Sequence, residues 1–309
     1  MKTQAIAGLI MLIFVMLTLL SASWMAVGTD GREGDPLSAA AAAEAAAAAV
    51  SSQPEDDAAA TPSMPAFDRT DWRLRLVNAS YELPADFAVE TADVEGYLFD
   101  ARAAEALQSM LDGGRAAGVD LILTSAYRTY DYQQGLFQNK VQRVMAERGI
   151  SQAEAEPIAA EEVARPGMSE HCLGLAVDII TSDYTTLDYG FAQTDAAKWL
   201  YEHCAEYGFV LRYPADKTEI TQIIYEPWHF RYVGVPHATK MAELDLCLEE
   251  YIDYLKDFTF EGDHLTIDCA SGRYEAWYAQ GTEIYLPDDG EYTVSGNNVD
   301  GLIVTCRVG

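Results

Sequence analysis

From Trp72 onward, the alternation of apolar and polar positions becomes that of a folded domain, with helix patterns early and strand patterns late. Residues 96–118 carry apolar side chains at the spacing of a helix, and the glycines at 113, 114 and 118 mark its end. The same criteria predict further helices over residues 131–147, 151–164 (broken by Pro157), 195–207 and 239–255, and strands over residues 119–124, 175–181, 208–213, 222–225 and 228–233. This order predicts an α+β fold, with helices packed on a small and mostly antiparallel sheet.

Residues 257–309 change character and predict a small all-β module at the C-terminal end. Short runs of alternating apolar and polar residues are separated there by Gly, Asp and Asn, which favour turns. The runs lie at residues 274–278, 283–287, 292–294 and 302–306. Nothing in this region has the length and period of a long helix.

The N-terminal residues predict export from the cytoplasm. Residues 5–28 carry no charge and are long enough to span a bilayer, with Lys2 before them and several charged residues after. The positive end stays inside, which places the rest of the chain outside, anchored by an N-terminal helix. The alternative is a cleaved signal peptide and a secreted protein, with the small residues at 21–23 near the cut. Residues 29–66 are rich in alanine and predict a disordered linker between residues 1–28 and the folded part.

The charge of the chain narrows the range of partners. It has 49 acidic and 20 basic residues, for a formal net charge of -29. Such a surface repels polyanions, which argues against nucleic acid or an anionic lipid surface as the main partner. We also expect the protein to be a monomer.

Five cysteines in an exported chain leave one without a partner. Cys269 could pair with Cys306 in the β module, and Cys172 could pair with Cys204, which would leave Cys247. Equally, several of them could be small buried apolar residues. The chain has no CxxC sequence, which argues against a zinc site made of cysteines.

Three residues of zinc-ligand type stand in two segments rich in glycine and aromatic residues. His171 and Asp178 lie in residues 164–178, and His229 lies in residues 226–234. Two imidazoles and one carboxylate, with water in the fourth position, make an open tetrahedral zinc site. Gly174 lets the chain bend between His171 and the strand that holds Asp178. These residues therefore predict a catalytic zinc centre.

A hydrolytic zinc site also needs a base beside it, and Glu226 is the candidate. Glu226 and His229 are three residues apart, so an unbroken strand would turn them to opposite faces. Pro227 and Trp228 favour a turn there, which would bring both side chains into one cleft. Glu226 could then take a proton from the attacking water and pass it to the leaving amine.

A third segment, residues 125–133, predicts recognition of a carboxylate. Arg128 has a planar guanidinium that can give two parallel hydrogen bonds to a carboxylate. A carboxypeptidase needs such a group, because the free C-terminus distinguishes its substrate from internal peptide bonds. Ser125, Tyr127 and Gln133 are polar neighbours that could complete this site.

Together the three segments resemble the VanY-like D-alanyl-D-alanine carboxypeptidases, a zinc metallopeptidase family shared with D-Ala-D-Ala dipeptidases and LdcB-type L,D-carboxypeptidases. The resemblance covers about residues 70–255 and rests on three motifs, SxYR, SxHxxGxAxD and ExWHxRYVG. In this sequence they are carried by Ser125, Tyr127 and Arg128, by Ser169, His171, Gly174, Ala176 and Asp178, and by Glu226, Trp228, His229, Arg231, Tyr232, Val233 and Gly234. One departure is Cys172, since relatives often carry a polar residue there.

The resemblance implies zinc held by His171, Asp178 and His229, with Glu226 as the base. It implies substrate contacts from Arg128, Gln133 and Ser169. Residues 67–256 would then be a zinc carboxypeptidase domain acting on peptidoglycan stem peptides outside the cytoplasm.

The specificity stays open between D,D- and L,D-carboxypeptidase, because both need the same zinc and the same carboxylate site. Export disfavours a dipeptidase, whose substrate is cytoplasmic. An inactive protein that binds wall peptides is the alternative from another class. The presence of Glu226 argues against it, because a binder needs no base.

Overall fold

The computed structural model describes residues 72–308, except residues 85, 282, 283, 285 and 287–290. The predicted anchor or signal peptide (1–28) and linker (29–66) lie outside the described residues, as does most of the predicted strand at 283–287. Among the residues that are described, we find no helix with the length and apolar character needed to cross a membrane.

The described part is an α+β structure with antiparallel sheets, as predicted. The strands are β1 (Thr91–Val94), β2 (Tyr97–Asp100), β3 (Ile122–Ser125), β4 (Ala176–Ile180), β5 (Phe209–Leu211), β6 (His229–Tyr232), β7 (Leu265–Cys269), β8 (Gly272–Gln280), β9 (Glu291–Gly296) and β10 (Gly301–Arg307). The helices are α1 (Ala104–Ala116), α2 (Tyr130–Arg148), α3 (Gln152–Ala160), α4 (Glu170–Leu173), α5 (Asp195–His203), α6 (Thr218–Thr221), α7 (Val235–Leu244) and α8 (Leu248–Leu255).

The central sheet has the strand order β3-β4-β6-β5, and all its pairs are antiparallel. Its β4 strand is almost completely buried, because helices and the β1–β2 hairpin cover it. The register places Asp178 opposite both Ser125 on β3 and His229 on β6. Three residues from distant parts of the sequence thus lie side by side across the sheet.

A second sheet, of order β7-β8-β10-β9, forms the predicted C-terminal β module. It shares a buried apolar cluster with α7 and α8, in which Met241, Tyr251 and Leu255 pack with Leu265 and Ile303. The backbone N–H of Leu76 also donates to the carbonyl of Asn297, at 3.0 Å. The module therefore packs directly on the preceding domain.

Two predicted helices have different bounds in the structure. The segment 96–118 begins as strand β2, because Glu95 and Gly96 adopt left-handed backbone angles and turn the chain into a hairpin with β1. The segment 239–255 is two helices, since Asp245 takes a left-handed conformation that ends α7 and Cys247 is the N-cap residue before α8.

Two further predictions also need correction. Helix α3 runs through Pro157 and ends at Ala160, so the predicted break at the proline does not occur and the helix stops three residues beyond it. Residues 222–225 form no strand, since Gln222 ends α6 in a left-handed conformation and the chain then runs irregularly to Glu226.

All five cysteines are free thiols, so neither proposed disulfide forms. Cys172, Cys204, Cys247 and Cys306 are buried, which fits the alternative of small apolar residues.

Candidate metal centre and active-site cleft

Local backbone structure places the three candidate ligands at one point of the central sheet. Asp178 and His229 are direct neighbours on β4 and β6. His171 lies on the short helix α4, which ends at Gly174 in a left-handed conformation and leads into β4. The left-handed angle at Gly174 favours glycine, and a Cβ there would also make a tight contact of 3.2 Å with the Val89 side chain.

The ligand atoms of this cluster lie within 4.8 Å of one another. Nε2 of His171 is 3.3 Å from Oδ2 of Asp178, and Nδ1 of His229 is 3.2 Å from Oδ1 of the same carboxylate. Nδ1 of His171 lies 2.7 Å from the carbonyl oxygen of Ala126, which leaves Nε2 for the cluster. Oδ1 of Asp178 is buried and accepts no hydrogen bond. Two ring nitrogens and an unpaired carboxylate oxygen are a set of donors that fits zinc.

The charges of the cluster shift all three pKa values. Burial, together with the charge of Arg128, lowers the pKa of His171 to about 4. Burial alone would raise the pKa of Asp178, but the two histidines and Arg128 hold it well below its usual value. Burial would also lower the pKa of His229, but contacts with Asp178 and Glu170 raise it to about 9. In the absence of a cation, the His229 imidazole therefore keeps its proton at neutral pH.

Glu226 stands beside the cluster, on the turn that Pro227 and Trp228 predict. The N–H of His229 donates to the carbonyl of Glu226 at 3.1 Å, which closes the turn. Oε2 of Glu226 is then 3.6 Å from Nδ1 of His229. Burial and the nearby Asp178 raise the pKa of Glu226 to about 8, although His229 and Arg128 act in the opposite direction. The carboxyl group thus lies beside the cluster with a pKa close to neutral pH, which suits a group that exchanges protons.

Arg128 is bound on three sides. Its Nε donates to Oγ of Ser125 at 2.8 Å, and its Nη1 donates to Oε1 of Gln133 at 3.3 Å. Its Nη2 donates to Oδ2 of Asp178 at 2.7 Å. Gln133 is itself fixed, because its Nε2 donates to the carbonyl of Ala164. The guanidinium is therefore held in a fixed position beside the His171–Asp178–His229 cluster.

A cleft of about 820 Å³ opens over the cluster. Seven of the nine predicted site residues line it, namely His171, Asp178, His229, Glu226, Arg128, Gln133 and Ser169. Ser125 and Tyr127 are not among the lining residues. Ser125 acts behind Arg128, and the backbone N–H of Tyr127 donates to the carbonyl of Leu98.

Several groups around the cluster were not predicted from the sequence. One face of α2 lines the cleft with Leu136, Lys140 and Arg143, whose spacing from Gln133 could have been recognised as one helical stripe. Tyr213 lines the cleft and packs on His229, with ring centroids 4.8 Å apart. Glu170 lies behind the cluster, and its position next to His171 was the one signal for it.

A family model, curated relatives and solved structures all relate this chain to D-alanyl-D-alanine carboxypeptidases and similar peptidases. A protein-family model described as VanY, D-alanyl-D-alanine carboxypeptidase, matches residues 97–235. A D-alanyl-D-alanine carboxypeptidase of Enterococcus faecalis is 42% identical over 187 residues, which are 60% of this chain and 68% of that protein.

Two solved structures are also similar. One is a mutant of a vancomycin resistance D,D-pentapeptidase VanY in complex with Zn(II), with 42% identity and a TM-score of 0.54 over 59% of this chain and 99% of that chain. The other is the vancomycin resistance D,D-dipeptidase VanXYg in complex with a D-Ala-D-Ala phosphinate analog, with 29% identity and a TM-score of 0.66. This match covers 77% of this chain and 94% of that chain. The matched share is larger than residues 67–256 alone, so the match extends beyond that segment.

Proposed function

Because this chain belongs to the VanY family of D-alanyl-D-alanine carboxypeptidases, we propose that it is a zinc metallocarboxypeptidase that removes the C-terminal D-alanine from peptidoglycan stem peptides. The observation that carries the proposal is the buried cluster of His171, Asp178 and His229, with the carboxylate of Glu226 3.6 Å from His229 in the same cleft. A cluster of this composition beside a base matches the chemistry of peptide hydrolysis.

We assign zinc binding to Nε2 of His171, a carboxylate oxygen of Asp178 and Nδ1 of His229. When bound, zinc supplies a Lewis acid that polarises the substrate carbonyl and lowers the pKa of water to about 7. Glu226 accepts a proton from the attacking water at Oε2 and passes it to the amine of the leaving D-alanine. Its buried position supports this role, because a carboxyl with a raised pKa can both take and return a proton near neutral pH.

Arg128 is our candidate for recognition of the free C-terminal carboxylate. Its bonds to Gln133 and Asp178 fix the plane of the guanidinium, so little side-chain freedom is lost when substrate binds. Gln133 and Ser169 line the same wall and are assigned to substrate binding as well. Ser125 accepts a hydrogen bond from Nε of Arg128 and so helps to orient it. Tyr127 is not among the residues that line the cleft, so a direct contact with substrate has the least support for this residue.

We favour D,D- over L,D-carboxypeptidase activity, in agreement with the family to which the chain belongs. The proposed site of action is the cell envelope, with residues 1–28 as an anchor or a cleaved signal and residues 29–66 as a spacer.

The proposal is tested by incubating the purified full-length protein with a pentapeptide ending in D-Ala-D-Ala and with the corresponding tetrapeptide. Zinc content is measured on the same samples, and products are identified by mass. We expect about one zinc per chain and release of one D-alanine from the pentapeptide. Release from the tetrapeptide alone would indicate an L,D-carboxypeptidase. Zinc binding without release from either peptide would favour a protein that only binds wall peptides.

A further inference from the structure

We propose that Glu170 is a positioning residue, whose carboxylate accepts a hydrogen bond from Nε2 of His229 and so turns Nδ1 of that ring toward the metal. The inference rests on the proposed zinc site at His171, Asp178 and His229. Glu170 is not among the residues that line the cleft, so it acts through His229 and does not touch the substrate.

The two ring nitrogens of His229 face different carboxylates on opposite sides of the ring. Nδ1 lies 3.2 Å from Oδ1 of Asp178 and 3.6 Å from Oε2 of Glu226, inside the cluster. Nε2 lies 3.8 Å from Oε2 of Glu170, on the far side of the ring. A histidine that binds a metal almost always donates its other N–H to a carboxylate, a carbonyl or a water. For His229, Glu170 is the carboxylate in that place.

Neither of the two facing atoms has another partner. Oε2 of Glu170 and Nε2 of His229 are both buried and make no hydrogen bond. Their separation of 3.8 Å is beyond the usual N–H···O range of about 2.7–3.2 Å. A shift of about 1 Å or less would join them, and such bonds at catalytic sites often tighten only when the site is filled. Two unpaired buried atoms that face each other indicate a bond completed in the working state.

The other oxygen of Glu170 fixes the carboxylate in this orientation. Oε1 accepts from Nε of Arg212 and from Nη1 of Arg231, each at 2.7 Å. All three side chains are fully buried. Because Oε1 is occupied by two charged donors, Oε2 stays directed at His229.

The isosteric substitution Glu170→Gln distinguishes acceptance of a hydrogen bond from His229 from a purely steric role of the side chain. In Glu170→Gln, the amide oxygen would remain with the two arginines, since an NH₂ group cannot face two guanidinium donors. The amide NH₂ would then point at Nε2 of His229, and two donors would face each other. The ring could relieve this only by moving its proton to Nδ1, which is the nitrogen assigned to zinc. Glu170→Gln should therefore impair zinc binding although it preserves shape.

Glu249→Gln is the matched control. Glu249 accepts from Nη1 and Nη2 of Arg212 at 2.8 and 2.7 Å, so it belongs to the same buried ion network. It is not one of the groups bonded to His229. If Glu170 served only to neutralise the arginines, the two variants would lose zinc affinity to a similar extent.

The experiment is zinc affinity of the full-length protein by competition with a chromogenic chelator, for wild type, Glu170→Gln and Glu249→Gln. We expect Glu170→Gln to bind zinc about 10–100-fold more weakly than wild type, and Glu249→Gln to stay within about threefold. Equal losses in both variants, or no loss in Glu170→Gln, would overturn the inference. Wild type that binds no zinc would overturn the proposed function itself, which distinguishes the two failures.

An NMR measurement on the wild type tests the hydrogen bond between Glu170 and His229 even if Glu170→Gln does not fold. In the zinc-loaded wild type, the Nε2 proton of His229 should give a strongly downfield and slowly exchanging NMR signal, because it is bonded to a buried carboxylate. The signal is assigned in ¹⁵N-histidine-labelled protein by the ring couplings that distinguish an Nε2 proton from the Nδ1 proton of His171, which lies 2.7 Å from the carbonyl oxygen of Ala126, and it should persist in Glu249→Gln. A ring proton without the downfield shift, or one that exchanges as fast as in an exposed imidazole, would contradict the proposed bond.

Discussion

Nη2 of Arg128 donates a hydrogen bond to Oδ2 of Asp178 at 2.7 Å, so the residue proposed to recognise substrate is bonded to a proposed zinc ligand. Asp178 and Arg128 are 50 positions apart in the sequence and meet because β3 and β4 are neighbours. This bond ties the position of the guanidinium to the position of the metal. Recognition of the substrate carboxylate and hydrolysis of its peptide bond are thereby held at a fixed distance.

Arg128→Ala should lower kcat/KM for peptides with a free C-terminus by about 10–100-fold, because a charged hydrogen bond to the carboxylate is lost. Hydrolysis of the same peptide with an amidated C-terminus should already be poor in wild type and should change little. Arg128→Lys is the control, since it keeps the charge but loses the fork geometry. The measurement is the ratio of rates for free and amidated peptides. Efficient cleavage of amidated peptide by wild type would refute the role of Arg128.

Glu226→Gln should retain zinc but lose turnover by about 10²–10⁴-fold, because an amide cannot accept the proton of the attacking water. His229→Ala should lose both zinc and activity, since it removes one of three ligands. Zinc content and D-alanine release, measured on the same preparations, distinguish the two effects. Wild-type activity in Glu226→Gln would show that another group is the base.

The pH dependence of kcat/KM should report the same carboxyl group. Burial and Asp178 raise the pKa of Glu226 from 4.5 to about 8, and a bound cation acts in the opposite direction by stabilising the carboxylate. The base works only when deprotonated, so activity should fall as pH drops through this pKa. We therefore expect an acid limb between pH 4.5 and about 8. A rate that stays constant across this interval would contradict Glu226 as the base.

Seven of the nine residues singled out in the sequence line one cleft, and they could be singled out because they are concentrated in short segments. The strands that hold Asp178 and His229 were both predicted, and Pro227 correctly indicated the turn that returns Glu226 to the cluster. These are local features, determined by neighbouring residues. The hairpin turn at Glu95 was local as well, but its signal was hidden within an apparently helical pattern.

Contacts between distant segments could not be predicted in the same way. Glu170 meets Arg212, 42 positions away, and Arg231, 61 positions away. Such pairs form because the fold buries both charges together. The local sequence around either residue contains no pattern that identifies the partner. The sequence therefore indicated the candidate ligands but not the buried charged groups that lie around them.

Zinc affinity should weaken as the pH falls below about 9. The pKa of His229 is raised to about 9, so the ring must lose a proton before Nδ1 can bind metal. His171, whose pKa is lowered to about 4, needs no such step near neutral pH. We expect about tenfold weaker binding for each pH unit below 9, measured by chelator competition. In Glu226→Gln the weakening should begin at a lower pH, because the charge of Glu226 contributes to the raised pKa of His229. Affinity of the wild type that is constant between pH 7 and 9 would contradict this account.

Arg212→Ala should destabilise the metal-free protein by about 3–5 kcal/mol, because it leaves the buried carboxylate of Glu170 and the partly buried carboxylate of Glu249 without their common partner. Arg212 is fully buried and donates to Glu170 and to Glu249. Lys198→Ala is the comparison, since its ion pair with Asp195 is largely exposed and should contribute less than about 1 kcal/mol. Urea unfolding of both variants measures the difference. A similar midpoint for Arg212→Ala and wild type would mean that the remaining partners, Arg231 for Glu170 and Asn78 for Glu249, are enough to compensate the two carboxylates.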